Sequence, residues 1–337
     1  MKTPEEPPML WRDIIGHAEV IRILKNMLAS GKIPHALLLT GPSGVGKGMM
    51  ARIFAAALLC REETGDRPCG MCHSCRLIGR DANPALSGLY DDDSSIKISQ
   101  IRALQHEVSL APADGSRRVI LLENAQRMTA EAANSLLKIL EEPPEGLHFI
   151  LTSPSAHLLL PTVLSRCLTL ALEPLPRALL TEALLARGVM PDLAKSAAGL
   201  GGGCLGTALK LLEPGGLEPR VRALSILTAL AGHGSAVWWD KAEEFDKLEP
   251  EDRRQVLRHL LYLLRDMALG GQDADPSLVI NQDIWPELAA CRYPSHTALQ
   301  AMRETQAALT ALAGNANARL TMEGLLLKLQ NLRETSA

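Results

Sequence analysis

Aromatic residues are scarce in this 337-residue chain, at 3% of the total, with three Phe, three Tyr and four Trp. The hydrophobic interior must therefore be built from aliphatic side chains such as Leu, Ala, Ile and Val. Such interiors are typical of helix bundles and α/β layers rather than of β-sandwiches. The composition alone favours a fold rich in helix.

An excess of charge of one sign is also missing, because 35 Lys and Arg face 38 Asp and Glu, for a net charge of -3. Such a chain has no global attraction for nucleic-acid phosphates, so any contact with DNA must be local or shared with partners. No stretch reaches the ~18 uncharged apolar residues of a membrane span, and residues 1–11 lack the apolar core of a signal peptide. We expect a cytoplasmic protein without membrane contact.

The length predicts two or three domains, and a hydrophobic content of 47% is enough to form their cores. Apolar runs and amphipathic segments alternate in the first half, as in parallel strands joined by helical crossovers. The predicted strands are Ala36–Thr40, Val119–Glu123 and His148–Ser153. The predicted helices are Ala18–Ser30, Lys47–Leu59, Ser99–Leu110 and Ala130–Glu141. We expect an α/β sheet domain over residues 1–171.

Helical periodicity dominates after Leu170, with interruptions at Pro and Gly. It predicts a small helical domain over residues 172–213, then a linker at Pro214-Gly215-Gly216, which has neither helix propensity nor side chains to pack. An all-α bundle over residues 214–337 follows. Its predicted helices are Arg253–Leu269, His296–Ala313 and Leu320–Leu332.

A glycine-rich loop follows the first strand and opens a helix, which is the context of a phosphate-binding (Walker A) loop. Its residues are Gly41, Pro42, Ser43, Gly44, Val45, Gly46, Lys47 and Gly48. Glycines let backbone N–H groups turn toward phosphate oxygens, and Lys47 is placed to meet the terminal phosphates. Gly48 stands where Ser or Thr normally holds magnesium, so we expect a degenerate loop in which Mg²⁺ binding is unlikely and ATP or ADP binding stays open.

The end of the second predicted strand is altered as well. Glu123-Asn124 stands where a phosphate-loop ATPase that hydrolyses its nucleotide carries Asp followed by Glu. Glu123 keeps a carboxylate that is one methylene longer, and Asn124 cannot accept the proton of an attacking water. We therefore predict that this chain does not hydrolyse ATP, although its loop could still hold nucleotide or could serve the fold alone.

Four of the seven cysteines lie within 16 residues, at Cys60, Cys69, Cys72 and Cys75. Four thiolates at this spacing can close a tetrahedral shell at the ~2.3 Å zinc–sulfur distance, which predicts a structural zinc insert over residues 60–75. Free thiols or a redox pair are the alternatives, and His73 could substitute as a ligand. A closed shell leaves no position for a catalytic water.

Ser165 and Arg166 follow the third predicted strand, on a loop at the edge of the α/β domain. An arginine after a strand is usually a solvated surface residue. At the edge of a nucleotide domain, however, its planar fork can reach the next subunit's site and stabilise charge on a transferred phosphate. We treat Arg166 as a candidate catalytic residue acting in trans, with Ser165 beside it.

Several of these segments together resemble one known family. They are Ile33-Pro34-His35-Ala36 before the loop, the cysteine insert, Leu136-Leu137-Lys138-Ile139-Leu140-Glu141-Glu142-Pro143-Pro144, Ser165-Arg166-Cys167 and Asn315-Ala316-Asn317-Ala318-Arg319-Leu320. They are similar to the bacterial DNA polymerase III clamp-loader subunits, the gamma/tau and delta-prime members of the AAA+ family. The resemblance is strong over about the first 210 residues and extends to the last helix.

The resemblance implies a P-loop NTPase (AAA+) module, a helical lid and a collar domain for oligomerisation. It also implies a pentameric ring with gamma/tau and delta subunits that loads a sliding clamp onto primed DNA, with Arg166 acting on the adjacent gamma/tau ATP site. Gly48, Asn124 and Thr207, which replaces a sensor arginine, favour the non-hydrolysing branch of the family. An active gamma/tau-type ATPase and a zinc-dependent DNA-binding adaptor are the alternative functions.

Overall fold

A computed structural model describes residues 10–62, 65–89, 95–109, 117–232, 236–270, 278–291 and 293–334. The chain divides into two compact units. The first runs to Leu179 and includes Gly203–Gly206, and the second comprises Leu180–Gly202 and the chain from Thr207 onwards. Each unit has its own core, so the two are described separately.

A five-stranded parallel sheet forms the centre of the first unit, with strand order β2-β3-β4-β1-β5. The strands are β1 (Ala36–Thr40), β2 (Leu86–Leu89), β3 (Arg118–Leu122), β4 (Leu147–Ser153) and β5 (Leu168–Ala171). β1 lies between β4 and β5, and all five of its residues are buried, as expected for a central parallel strand with helices on both faces. All strands run in one direction, so the loops after β1, β3 and β4 leave from the same edge of the sheet.

Helices cover both faces of this sheet. They are α1 (Ala18–Ser30), α2 (Lys47–Leu59), α3 (His73–Ile78), α4 (Ile98–Ser109), α5 (Ala130–Glu141) and α6 (Pro161–Leu164). α2 packs against β3 and β4, and its alanines allow close approach, so that most of the helix is buried. The core on the other face holds buried side chains of α4 and α5 such as Ile101 and Leu136. This arrangement confirms a parallel α/β sheet domain.

The remaining helices continue through α7 (Arg177–Leu185), α8 (Pro191–Leu200), α9 (Leu205–Leu212), α10 (Glu218–Ala231), α11 (Ala236–Asp246), α12 (Pro250–Gly270), α13 (Trp285–Ala290), α14 (Ser295–Ala313) and α15 (Ala318–Glu334). Leucines of α10, α12 and α15, including Leu227, Leu260 and Leu329, are fully buried in one aliphatic core of the second unit. In the described residues after Leu172, the regular elements are thus all helices, as the periodicity predicts.

A buried ionic contact ties α8 to the bundle within the second unit. Arg220 donates to Asp283 through both terminal nitrogens, at 3.0 and 2.8 Å, and Ser196 of α8 donates to the same carboxylate at 2.7 Å. This pairing holds the pKa of Asp283 below its usual value although its burial acts in the opposite direction. The predicted boundary between residues 213 and 214 stays a prediction.

Two strands of the sheet escaped prediction. β2 is only four residues long and contains Ser87 and Gly88, and β5 is a mostly exposed edge strand without the apolar character of a buried one. In the described part of the chain, every helix is too short or too polar to cross a membrane.

Candidate functional site

The phosphate loop connects β1 to α2 and has the backbone shape that its glycines predict. Gly41, Gly44 and Gly46 all have positive φ angles, at 145°, 78° and 108°. Residues that carry a Cβ rarely adopt such angles. A Cβ at Gly41 would also overlap the carbonyl oxygen of Leu172, so space as well as backbone geometry requires glycine there. Gly46 is the N-cap of α2, and the loop therefore leads directly into a helix amino terminus, where anions are favoured.

Lys47 begins α2 and is buried. Its Nζ donates to the carbonyl oxygens of Gly41 at 2.7 Å and Pro42 at 2.9 Å, so the ammonium group is held across the loop. Burial lowers the pKa of Lys47, and the nearby Cys204 acts in the opposite direction. The Lys47 ammonium group thus lies at the centre of the loop. A phosphate bound there would replace the two carbonyl oxygens as its hydrogen-bond acceptor.

Gly48 and Glu123 face each other across the loop. A Cβ placed on Gly48 would lie 3.5 Å from both carboxylate oxygens of Glu123, which follows β3. Arg52, one turn further along α2, approaches the same carboxylate, with Nε 3.5 Å from Oε1 of Glu123. Its Nη1 also donates to Oδ1 of Asp81 at 2.9 Å. Sequence reasoning missed Arg52, although its spacing of four residues from Gly48 places both on one face of α2.

Asn124 has a left-handed backbone, with φ of 54°. Its backbone N–H donates to the hydroxyl of Thr152 on β4 at 3.0 Å, and its side-chain oxygen accepts from Gln126 at 3.4 Å. An amide can orient a water but cannot take its proton. The position after Glu123 therefore offers no general base.

Arg166 lies at the surface of the first unit, just after α6. Its Nη1 donates to the carbonyl oxygen of Thr162 at 2.8 Å and the hydroxyl of Ser165 at 3.1 Å, and its Nη2 donates to Glu141 at 2.6 Å. About a third of the Arg166 side chain is exposed, as the 32% value shows. Glu141 ends α5 and was not predicted to have a role.

The residues on either side of Ser165 and Arg166 point into the protein. Leu164 and Cys167 pack against the core on the α5 face of the sheet. Burial raises the pKa of Cys167 to about 11, so this thiol stays neutral and behaves as a small apolar side chain. The partly buried Leu164 and Cys167 thus anchor this segment to the core, while Ser165 is exposed and Arg166 is partly exposed between them.

The four predicted metal ligands come together between the end of α2 and the start of α3. The sulfur atoms of Cys60, Cys69, Cys72 and Cys75 all lie within 4.8 Å of one another. The Cys60–Cys72 and Cys69–Cys75 sulfur pairs are each 4.0 Å apart, close to the roughly 3.8 Å edge of a tetrahedron with ~2.3 Å metal–sulfur bonds. This cluster could bind a metal ion, and it needs no ligand from His73.

Backbone donors around the cluster favour thiolate sulfur. The N–H of Cys72 donates to the sulfur of Cys69 at 3.3 Å, and the N–H of Cys75 donates to that of Cys72 at 3.4 Å. Burial disfavours a thiolate at Cys72, but the backbone N–H groups of Cys75 and Arg61 outweigh it and lower its pKa to about 6. Burial raises the pKa of Cys75, a cost that a bound cation would offset.

Fold and site together define a protein with a phosphate-loop α/β domain, a cysteine cluster and a surface arginine. Its loop has Gly48 in place of the Ser or Thr that normally binds magnesium. The profile of the family described as "DNA polymerase III, delta subunit" matches residues 16–176. The delta-prime subunit of DNA polymerase III from Bacillus subtilis is 31% identical over 317 residues, which are 92% of this chain and 95% of that one. The delta-prime subunit from Pseudomonas aeruginosa is 37% identical over 195 residues, 56% of this chain and 59% of its own length.

The chain therefore belongs to the delta-prime family of DNA polymerase III clamp-loader subunits, which is related to the tau and gamma subunits. The tau subunit from Escherichia coli is 38% identical, but over 168 residues that make up 50% of this chain and only 26% of that protein. A solved structure of a DNA polymerase III gamma subunit-related protein from Thermotoga maritima has a TM-score of 0.46 and 18% identity, covering 91% of this chain and 98% of its own.

Proposed function

We propose that this chain is a stator-like subunit of the clamp loader, one that does not turn over ATP but completes a neighbouring ATP site with Arg166. The observation that carries this proposal is the position of Arg166 at the surface, on a loop fixed by Leu164 and Cys167. A fixed backbone with a partly exposed guanidinium, whose present acceptors lie at the surface, suits a residue that acts on another subunit. Ser165, which accepts a hydrogen bond from Arg166, would orient it.

Two changes in the chain's own nucleotide region support the absence of hydrolysis. Gly48 has no hydroxyl for magnesium, and Asn124 has no carboxylate to accept a proton. They lie on separate elements, α2 and the loop after β3, so each removes a different requirement of the reaction. An active ATPase of the gamma/tau type would have to work without the magnesium-binding hydroxyl and without the general base.

The assembly that we infer is a pentameric ring of this chain with gamma/tau and delta subunits, which places a sliding clamp on primed DNA. The relatives named above support the partnership, because delta-prime and tau are both DNA polymerase III subunits. Within this assembly residues 1–171 would be the AAA+ module with its zinc insert, residues 172–213 the lid and residues 214–337 the collar.

Zinc is the metal that we infer for Cys60, Cys69, Cys72 and Cys75. Four sulfur ligands at tetrahedral spacing suit Zn²⁺, and four protein ligands leave no position for water, so the ion would be structural. It would join the end of α2 to the start of α3 through Cys60 and Cys75. A short segment with few buried apolar residues gains most from such a link.

Substitution of Arg166 by Ala in the reconstituted loader tests the role of this side chain. We expect clamp- and DNA-stimulated ATP turnover to be lost, since an arginine supplied in trans is worth on the order of a thousandfold at its site. Sedimentation velocity should show that the ring still forms, because the substitution removes only a surface side chain. Normal stimulated turnover by the Arg166→Ala loader would refute the proposed role.

A single-turnover ATPase assay on the isolated chain separates this function from that of a gamma/tau-type motor. We expect no phosphate release above that of the Lys47→Ala variant, which lacks the lysine of the loop. Phosphate release by the unaltered chain that is abolished in the Lys47→Ala variant would show an ATPase instead.

A further inference from the structure

A cleft of about 660 Å³ in the first unit lies between the cysteine insert and the beginning of two strands. Arg61 and Arg67 line it from the insert, and Arg117 and Arg118 line it from the other side; we call these four the cleft arginines. Arg118 begins β3, and Ala85, which also lines the cleft, directly precedes β2. Since the strands of the sheet are parallel, the cleft lies at the edge opposite to the one from which the phosphate loop leaves. It is therefore separate from the nucleotide region.

Positive charge dominates this cleft. Besides the four cleft arginines, the charged residue in its described lining is Glu62. Within the described part of the chain, no carboxylate forms an ion pair with a cleft arginine, whereas Arg22, Arg52 and Arg166 of the same unit each have such a partner. A chain with a net charge of -3 thus concentrates unpaired positive charge in one place.

Backbone carbonyl groups hold two of the cleft arginines in place. Nη2 of Arg67 donates to the carbonyl oxygen of Leu28 at 3.2 Å, and Nη1 of Arg118 donates to that of Glu107 at 3.4 Å. Carbonyl acceptors do not neutralise a guanidinium, and each guanidinium has five N–H donors. Arg67 and Arg118 therefore keep both charge and hydrogen-bond donors for a ligand.

A buried polar contact joins the two walls of the cleft. Nδ2 of Asn83 donates to the hydroxyl of Ser74 on α3 at 2.8 Å, and Oδ1 of Asn83 accepts from the N–H of Ala85 at 2.9 Å. Asn83 and Ser74 are 8% and 7% exposed, so these hydrogen bonds are shielded from water. Because their polar groups are used within the protein, the arginines are the principal donors that a ligand would meet. The cleft is thus preformed and needs little ordering on binding.

The lining suits the phosphates of a nucleic acid better than an acidic peptide. A guanidinium donates paired hydrogen bonds to phosphate, and closely spaced cations along a groove follow the backbone of a single strand. A peptide would in addition need an apolar pocket for an anchoring side chain. Two of the three leucines in the described lining, Leu58 and Leu59, are only 2% and 9% exposed, so little apolar surface is open to such an anchor. A cleft of this volume is too small for a duplex, which leaves a single strand.

We propose that the cleft arginines bind the phosphate backbone of single-stranded DNA, which makes the cysteine insert part of a DNA contact. The inference rests on the proposed function, because a loader that acts on primed DNA meets a template that continues beyond the primer as a single strand. Contacts to phosphates carry no base preference, so any sequence should bind. The contact is local, as the balanced charge of the chain predicts.

Fluorescence anisotropy of labelled oligo-dT, about 20 nucleotides long, titrated with the full-length zinc-loaded chain at about 50 mM salt tests the proposal. The unaltered chain should bind it, and a rise in salt concentration should weaken binding, because bound phosphates release their counterions. Arg61→Gln/Arg117→Gln, which removes one charge from each wall, should weaken binding at least about tenfold. The slope of log K against log salt concentration should also become shallower by about 1.4, since each phosphate contact on a single strand contributes ~0.7.

A matched control separates the charge of the cleft from the charge of the whole chain. Arg22→Gln/Arg254→Gln removes two ion-paired surface arginines elsewhere, changes the net charge by the same amount, and should leave affinity and slope unchanged. Arg61→Lys/Arg117→Lys keeps the charges and should keep the slope. Circular dichroism melts check that each variant folds. If the double cleft variant fails to fold, Arg61→Gln alone, at an exposed residue, takes its place with an expected loss of at least about threefold.

No salt-dependent binding of oligo-dT by the unaltered chain would overturn the proposal, and so would equal affinities of the double cleft variant and its control. Tighter binding of labelled poly-glutamate than of oligo-dT of the same length, weakened by the same variant, would assign the cleft to acidic peptides instead. None of these measurements involves ATP turnover, so failure here leaves the proposed role of Arg166 intact. DNA binding at the cleft together with normal stimulated turnover by the Arg166→Ala loader would support this inference and refute the proposed function.

Discussion

Two arginine–glutamate pairs of the first unit, Arg52–Glu123 and Arg166–Glu141, join different elements and differ in how far their carboxylates are exposed. Arg52 and Glu123 lie between α2 and the end of β3, partly shielded, and meet at 3.5 Å. Arg166 and Glu141 lie at the surface between α5 and α6, closer together at 2.6 Å but with 32% and 50% of their side chains exposed. The two arginines are similarly exposed, at 25% and 32%, and the difference lies in the carboxylates, so water competes more for Glu141 than for Glu123.

This difference assigns different uses to the two arginines. The Arg52 guanidinium also contacts Asp81 and is fixed within its own nucleotide region. Arg166 can exchange its acceptors for those of another molecule at small cost, since an exposed ion pair contributes ~1 kcal/mol or less. Arg52 is thus held by two carboxylates of its own unit, whereas Arg166 is the arginine that the proposed function assigns to a neighbouring site.

The strongest test of this comparison is a substitution that keeps the positive charge of Arg166 but removes its planar guanidinium group. Arg166→Lys should reduce stimulated ATP turnover of the reconstituted loader by at least about a hundredfold, because a lysine cannot make the paired hydrogen bonds of a guanidinium to phosphate. Arg22→Lys, at an exposed ion pair on α1, is the matched control and should leave turnover unchanged. Turnover of the Arg166→Lys loader near that of the control would mean that charge alone suffices.

A second experiment compares one cysteine of the metal cluster with the cysteine beside Arg166. Cys72→Ser should remove the metal, and the melting temperature of the first unit should fall by about 5 °C, which corresponds to ~2 kcal/mol for a unit of this size. Cys167→Ser, beside Arg166, should keep the metal and lower the melting temperature less. Zinc content and thermal melts of both variants provide the measurement, and equal metal content would contradict the assignment of Cys72 as a ligand.

Prediction from sequence succeeded where the determinants are continuous along the chain. The bounds of α1, α2 and α5 agree with prediction because glycine, proline and amphipathic spacing mark them locally. The cysteine cluster was predicted for the same reason, since its ligands lie within 16 residues.

The two ion pairs were not predicted, because their partners are far apart in sequence. Arg52 and Glu123 are 71 residues apart, and Arg166 and Glu141 are 25 residues apart. Each pair depends on which strands and helices become neighbours, for example on the packing of α2 against β3 and of α5 against α6. β5 was missed because an exposed edge strand does not need the apolar run by which a buried strand is predicted.

A third prediction concerns the carboxylate that holds Arg166. Glu141→Gln keeps the shape of the side chain but removes its charge, so Arg166 should leave it more readily and stimulated turnover should rise by up to about fivefold. Glu142→Gln, at the adjacent exposed residue, is the matched control and should have no effect. A fall in turnover with Glu141→Gln alone would show instead that Glu141 positions the arginine for its neighbour.

The smallest expected effect is on the stability of the isolated chain. Arg52→Ala leaves the carboxylate of Glu123, only 17% exposed, without this partner, and should cost about 1 kcal/mol. Arg166→Ala leaves Glu141 half exposed and hydrated, and should cost less than about 0.5 kcal/mol. Thermal melts of the two variants under identical conditions measure the difference. A larger loss for Arg166→Ala than for Arg52→Ala would reverse the comparison, because the surface arginine would then be the one required by its own fold.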